Sequence, residues 1–157
     1  PSRRRAAGLR RKLSKAARMR TIGLDVGERR VGIAICDTGG ILATPYSAIE
    51  RKRLDRDVFT ISEIATKEEV RRIVVGMPFS LDGSEGYQAK KTLIFYEAIK
   101  EAVDPIPVEL WDERFSTDEA ARRLTEAGVT PSRNKARLDA SAAAVILQSY
   151  LDTHRML

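Results

Sequence analysis

The sequence predicts an α/β domain built on a mixed five-stranded sheet, in which a three-stranded antiparallel meander is followed by two parallel strands. Two observations lead to this class. Apolar residues alternate with period two early in the chain, where short turns join one run to the next. Further along, short apolar runs alternate with helical patterns, which is typical of strand–helix–strand units with helices flanking the sheet. Since the pattern has no internal repeat and no linker, residues 20–157 are expected to form one domain.

The meander is predicted from three runs at the start of this domain. Strands are expected at 21–26 and 31–36, joined by the turn "GERR", and a third strand near 41–49 follows the turn residues "TGG". In the first two runs every second residue is Val, Ile or Leu, so one face of this hairpin is expected to pack into a core.

An aspartate, Asp25, interrupts the first apolar run on the face opposite to the core residues. Its nearest neighbours on that face are Gly23 and Gly27, and Gly32 and Ala34 continue the same face on the next strand. The pattern favours a bare patch of sheet on which a ligand could lie close to the carboxylate. An ordinary half-exposed strand with turn glycines would give the same letters, so Asp25 alone does not identify a site.

The later part of the chain alternates between strands and helices. The segment "STDEAARRLTEAG" is expected to form a helix that begins after Ser116, with Ser116 and Glu119 as a capping box and Gly128 as the stop. Ser132 is the expected N-cap of the last helix. The expected ranges in chain order are a helix at 54–65, a strand at 71–78, a helix at 85–102, a strand at 106–111, and helices at 117–127 and 132–152.

Two further acidic positions are expected to lie near Asp25. Asp112 and Glu113 follow the fifth strand at its carboxyl end, where open α/β sheets bind ligands, although a solvated acidic loop fits the same letters. Strand parity does not decide which of the two faces a site. Asp139 stands on the last helix, where alanines at helical spacing would allow a close approach to the sheet. An N-cap role for Asp139 is the alternative.

Carboxylates gathered at one place repel each other. Two like charges ~4 Å apart cost about 4 kcal/mol at an effective dielectric constant near 20. A divalent cation would remove this cost. Because the ligands would be hard oxygen atoms, the pattern favours Mg²⁺ or Mn²⁺ over Zn²⁺, and such sites are typical of phosphodiester hydrolysis.

The composition excludes several other kinds of site. One cysteine, Cys36, cannot form an intrachain disulfide, and its apolar surroundings predict a buried thiol rather than a reactive one. The single histidine, His154, makes a histidine-rich metal site or a Ser-His-Asp triad improbable. No stretch approaches the roughly 20 apolar residues that a membrane span needs, and no apolar segment of the signal-peptide kind follows the basic start. A cytoplasmic protein without membrane contact is therefore expected.

The basic charge of the chain lies in its first twenty residues. They hold nine Lys or Arg residues and no acid, so the remaining residues have 19 bases against 22 acids. Residues 1–19 therefore predict an arm that binds a polyanion, such as a nucleic acid, and that could become an amphipathic helix on contact. A disordered solubilising extension is the alternative.

Four motifs in order resemble the YqgF/RuvX family of the RNase H-like superfamily, and together they cover nearly all of residues 20–152. They are "IGLDVGERRVGIAICD", "VVGMPFSLDGSEG", "DERFST" and "LDASAAAVILQSYL". The resemblance implies an RNase H-like fold and a metal-dependent nuclease for pre-16S rRNA or Holliday junctions. It also implies that Asp25, Glu113 and Asp139 are the catalytic residues and hold one or two Mg²⁺ or Mn²⁺ ions, with Asp112 as a further candidate ligand.

Basic side chains near these motifs are expected to hold flanking phosphates, although each of them also fits a solvated surface charge. The candidates are Arg10, Arg11, Lys12, Lys90, Lys91, Arg114, Arg133, Lys135 and Arg137. The sequence contains no signal that separates RNA from DNA as the substrate. A symmetric junction would need two active sites and so a dimer. Without a clear dimer stripe, an RNA-processing monomer, or a weak homodimer, is expected.

Two other functions fit part of the sequence. A non-catalytic nucleic-acid binder or ribosome assembly factor would use the same surface without cleaving. The segment "GLDVGERRVG" also resembles the phosphate-binding hairpin of actin and the sugar kinases. Those proteins hold a nucleotide between two such domains, for which a single chain of 157 residues is too short.

Overall fold

Five strands form one mixed sheet in the computed structural model, which describes residues 20–80, 82–128 and 135–155. Across the sheet the strand order is β3-β2-β1-β4-β5, with β1 antiparallel to β2 and parallel to β4. The strands are β1 (Arg20–Val26), β2 (Arg30–Cys36), β3 (Ala43–Glu50), β4 (Val70–Met77) and β5 (Val108–Asp112). The predicted meander and the predicted parallel pair are both confirmed.

Helices cover both faces of this sheet. Within the described ranges they are α1 (Leu54–Lys67), α2 (Tyr87–Val103), α3 (Asp118–Glu126) and α4 (Lys135–Arg155), with a 3₁₀ helix at Glu113–Phe115 directly after β5. None of these helices is both long enough and apolar enough to cross a bilayer. The expected arm at 1–19 and the expected cap Ser132 lie outside the described residues.

The predicted boundaries are shifted by a few residues where side chains bind the backbone. The third strand begins at Ala43 rather than near Ile41, because Oδ1 of Asp37 accepts hydrogen bonds from the backbone N–H groups of Ile41 at 2.7 Å and Leu42 at 3.2 Å. These two residues therefore close a turn and do not pair with β2.

The alternating residues of β1 and β2 pack into two separate cores, of which only the first was expected. Ile22, Leu24 and Val26 of β1 and the facing residues of β2 are buried with α1 and α2. On the other face, Ala34 and Cys36 of β2 are buried with residues of α3 and α4. The prediction of a buried Cys36 thiol is confirmed.

The glycine-rich face of β1 and β2 is not a bare patch, and that prediction is wrong. A Cβ placed on Gly23 would lie 2.7 Å from Cβ of Leu147 and 3.1 Å from the carbonyl oxygen of Ala143, both on α4. A Cβ on Gly32 would collide with the backbone carbonyl of Asp139. The absent side chains thus make room for the main chain of α4 and not for a ligand. The predicted close approach of this helix to the sheet is confirmed.

The predicted capping box at Ser116 is also wrong. Helix α3 begins one residue later than expected, and Oγ1 of Thr117 accepts the hydrogen bond from the backbone N–H of Ala120 at 3.2 Å. Oγ of Ser116 is buried and has no hydrogen-bond partner among the described residues. Either hydroxyl could cap a helix, so sequence alone could not decide between adjacent candidates.

A matched pair of substitutions tests this assignment. Thr117→Ala is expected to lower the free energy of unfolding by about 1 kcal/mol, because the N–H of Ala120 loses its acceptor. Ser116→Ala is expected to be neutral or slightly stabilising, since it removes a buried hydroxyl without a partner. Urea denaturation of both variants measures the difference, and a larger loss for Ser116→Ala would contradict the assignment.

Candidate functional site

Asp25 lies near the carboxyl end of β1, between two glycines of the neighbouring strands. It pairs in register with Gly32 of β2. On the other side, Leu24 is opposite Val75 of β4, so Asp25 and Gly76 are the next residues on two parallel strands. The Asp25 side chain is half-buried, and within the described ranges it has no hydrogen bond or ion pair.

Glu113 reaches the same place from the end of β5. It is the first residue of the 3₁₀ helix, and a Cβ on Gly76 would lie 2.9 Å from its Oε1 atom and 3.2 Å from its Cγ atom. Gly76 therefore provides the space in which this carboxylate lies over the strand beside Asp25. Like Asp25, the Glu113 side chain is half-buried and lacks a hydrogen bond or ion pair among the residues described.

Asp112 is oriented differently from Glu113. Its Oδ1 accepts from the backbone N–H of Arg114 at 2.9 Å, and its Oδ2 accepts from Nη2 of Arg114 at 2.6 Å. This arginine lowers the pKa of Asp112 below its ordinary value. The charge of Asp112 is thus paired with Arg114, whereas Glu113 lies beside Asp25 without such a partner among the described residues.

Asp139 is placed on the other side of Asp25 by the first turns of α4. Its backbone rests on Gly32, the register partner of Asp25. Its Oδ2 accepts from Nε of Arg30 at 2.6 Å. The structure therefore brings Asp25, Glu113 and Asp139 to one edge of the sheet, with Asp25 in the middle and only Asp139 paired with a cation.

The electrostatics of the site reflect this arrangement. Burial and the nearby charge of Asp139 raise the pKa of Asp25 from 3.8 to about 6. Burial and the charges of Asp25 and Asp112 raise the pKa of Glu113 from 4.5 to about 7. Both groups are therefore half-buried carboxylates whose charge no cation of the described side chains pairs with, and such groups are typical of functional sites.

The oxygen atoms at this site suit a divalent ion in chemical type. Carboxylate oxygens are the hard ligands that Mg²⁺ and Mn²⁺ prefer, and the uncompensated charges of Asp25 and Glu113 fit such an ion. Asp139 is engaged by Arg30 instead. As the side chains stand, no three His, Cys, Asp or Glu residues in the described ranges form a group that could hold a metal ion.

The raised pKa values of Asp25 and Glu113 predict how the stability of the metal-free protein depends on pH. The folded protein keeps protons on both groups that the unfolded chain releases near pH 4, so this stabilisation is complete below about pH 4 and is lost as the pH rises through about 6 and 7. From pH 5 to pH 8 the free energy of unfolding is expected to fall by about 2 to 4 kcal/mol, the lower figure applying where solvent screens part of the Glu113 charge.

Urea denaturation in the presence of a chelator measures this fall. Asp25→Asn is expected to reduce the fall, and Mg²⁺ at pH 8 is expected to restore stability to the wild type. Asp82 and Asp112 do not affect this measurement. Their pKa values are lowered, so their contributions to stability change only in more acidic solution. A stability that rises over this range would contradict the account.

The basic candidates are dispersed around the site. Arg114 binds Asp112 and lies 5.6 Å from the ring centre of Phe79 in the loop after β4. Nζ of Lys91 lies 3.3 Å from Oε1 of Glu28, in the turn between β1 and β2. Lys90 and Arg137 are exposed on α2 and α4. Outside the described residues or side chains lie Arg10, Arg11, Lys12, Arg133 and the side chain of Lys135.

Sequence reasoning missed Arg30, which it treated as part of a turn. The signal was present, because Arg30 and Gly32 are two residues apart on one strand and so share a face. Gly32 is the register partner of Asp25, so Arg30 belongs to the face that carries the acidic site.

Known proteins match this chain over most of its length. A family model described as "RuvX: Holliday junction resolvase" matches residues 19–153. A curated relative from Trichormus variabilis, named "Putative pre-16S rRNA nuclease", is 45% identical over 134 residues, which cover 85% of this chain and 88% of the relative. A relative of the same name from Desulforamulus reducens is 42% identical over 135 residues, which cover 86% of this chain and 98% of the relative.

Solved structures support the fold. T. thermophilus RuvC in complex with a Holliday junction substrate superposes with a TM-score of 0.64 at 14% identity, covering 88% of this chain and 96% of that one. The fowlpox virus resolvase in complex with Holliday junction DNA has a TM-score of 0.54 at 13% identity, covering 87% and 99%. The expected RNase H-like architecture is confirmed.

Proposed function

The chain belongs to the YqgF/RuvX family, and on this premise we propose that it is a nuclease that hydrolyses phosphodiester bonds in structured nucleic acid with Mg²⁺ or Mn²⁺ as the cofactor. The observation that carries the proposal is the pair of uncompensated carboxylates, Asp25 and Glu113, next to Asp139 at the carboxyl edge of the sheet. We propose precursor 16S rRNA as the substrate, because the curated relatives are named for it. A four-way DNA junction is the second candidate, from the description of the family model.

The residues at the site would have different roles in the reaction. Asp25 and Glu113 would hold the ion through carboxylate oxygens, and Asp139 would contribute from α4. When bound, such an ion lowers the pKa of a water molecule and neutralises charge that develops on the phosphate oxygens. Asp112 fixes the guanidinium of Arg114 in the segment directly after β5, where the guanidinium would bind a phosphate of the substrate.

The raised pKa values of the two acids make the proposed activity depend on pH. Since the raised pKa values keep Asp25 and Glu113 partly protonated near neutral pH, cleavage is expected to increase with pH as both become ionised.

The exposed side chains of Lys90 and Arg137 lie on helices that flank the site, and they would contact phosphates away from the cleaved bond.

A side-by-side assay with Mn²⁺ tests the proposal. Precursor 16S rRNA, a single strand and a four-way DNA junction are each given to the wild type, with chelator as the control. Cleavage of the precursor that the chelator abolishes supports the proposal. Cleavage of the junction alone would show that the substrate is the DNA junction and not the rRNA precursor. Binding without cleavage of any substrate would assign the chain to the non-catalytic binders.

The basic arm at 1–19 is proposed to bind nucleic acid outside the active site. It holds eight Lys or Arg residues, and each phosphate contact releases counterions. Deleting the arm is expected to weaken binding and to make the slope of log K against log salt shallower by about two or more. Filter binding over a salt series measures this slope, and an unchanged slope would show that the arm makes no contact.

A further inference from the structure

Arg30 is a cation at the edge of the acidic site. It is the first residue of β2, its Nε donates to Oδ2 of Asp139 at 2.6 Å, and only 25% of its side chain is exposed. The two residues are 109 positions apart in the chain, so the pair forms only when α4 has docked on the sheet. The face of β2 that carries Arg30 also carries Gly32, on which Asp139 rests.

The pair distributes charge unevenly over the three carboxylates. Asp139 has a guanidinium at hydrogen-bond distance, whereas Asp25 and Glu113 have no hydrogen-bond or ion-pair partner in the described part of the chain. Removing Arg30 would leave all three carboxylates without an ion-pair partner among the residues that the structure describes. The guanidinium of Arg30 therefore compensates the charge of Asp139, which is the role that a divalent ion would have in the proposed function.

We propose that Arg30 is a positioning residue that occupies Asp139 in the metal-free protein and gives up this carboxylate when a divalent ion binds. The inference rests on the proposed function. A guanidinium and a dication that shared Oδ2 of Asp139 would repel each other, so binding of one weakens binding of the other. Arg30 holds the third carboxylate in place while the site is empty and sets the affinity of the site for metal.

Metal binding, measured without substrate, tests this competition. Isothermal titration with Mn²⁺ compares the wild type, Arg30→Gln and Arg29→Gln. Arg30→Gln is expected to bind Mn²⁺ roughly fivefold more tightly, the factor expected when a partly exposed ion pair no longer competes. A residue that only held Asp139 in place would give the opposite result, because its loss would weaken metal binding.

Arg29→Gln is the matched control. Arg29 precedes Arg30, its side chain is exposed, and the substitution removes the same charge from the adjacent position. It is expected to change the Kd for Mn²⁺ less than twofold. An equal change in the two variants would show that Arg30 acts only through the net charge of the protein and would overturn the inference.

The wild type provides a second measurement that does not depend on how a variant folds. In a 15N NMR titration with Mg²⁺, the Nε–H signal of Arg30 is expected to shift and to exchange faster with water as the hydrogen bond to Asp139 breaks. An Nε–H signal that is unmoved by saturating Mg²⁺ would overturn the inference and leave the proposed function intact. If neither the wild type nor Arg30→Gln binds Mn²⁺, the metal-dependent function itself is overturned, and the inference with it.

Discussion

Replacing Asp25 by Asn is expected to reduce metal-dependent cleavage at least about 100-fold, because substitutions of residues that merely support metal ligands already cost 10- to 100-fold. Asp25 is central to the acidic site, since its neighbours include both Glu113 and Asp139. Nucleic-acid binding without metal is expected to change little, because the substitution removes no basic residue. Single-turnover cleavage of the best substrate, together with filter binding, measures the two effects.

Two comparisons show whether a loss of activity comes from the site. Asp118→Asn changes an exposed aspartate in the first turn of α3 and is expected to leave cleavage unchanged. Asp25→Asn itself is expected to raise the stability of the metal-free protein at pH 8, since it removes a half-buried charge without a partner. Full cleavage by Asp25→Asn would remove Asp25 from the catalytic residues.

Replacing Gly32 by Ala is expected to cost at least about 3 kcal/mol in the free energy of unfolding. The added methyl group would collide with the backbone carbonyl of Asp139, and a backbone atom cannot move aside as a flexible side chain can. Helix α4 would have to lift from the sheet, which would loosen its core and displace Asp139 from Arg30. Urea denaturation measures the loss, and failure to fold would be its extreme form.

The control for this substitution is Gly39→Ala. A Cβ on Gly39 would have its nearest neighbour, an oxygen of Asp37, at an ordinary contact distance of 3.7 Å. The free energy of unfolding is expected to change by less than about 0.5 kcal/mol. A similarly small effect of Gly32→Ala would contradict the close approach of α4 to β2.

The sheet could be predicted from the sequence because its signals are local. Period-two alternation assigned Ile22, Leu24 and Val26 to one core, and the structure buries them there. The role of the glycines on the opposite face could not be predicted from neighbouring residues. Nothing near Gly23 or Gly32 in the sequence shows that the space they leave is filled by a helix more than one hundred residues later.

The candidate site was predictable in its residue types and less so in its pairing. Asp25, Asp139 and the pair of Asp112 and Glu113 could be selected because carboxylates are rare on apolar elements and at strand ends, and only the family resemblance favoured Glu113 within that pair. The choice between Asp112 and Glu113 depended on the 3₁₀ helix, in which Arg114 turns back to bind Asp112. Such a contact follows from backbone geometry that a strand pattern does not contain.

The placement of Asp139 on the last helix has a consequence for synthesis of the protein. Two of the three acidic residues emerge from the ribosome well before the third, which requires α4 to be made and docked on β1 and β2. A nascent chain would thus lack the complete acidic site until α4 has been made and has docked on the sheet. A nuclease whose proposed substrate is RNA would in this way be inert towards nearby RNA while the segments before α4 are being made.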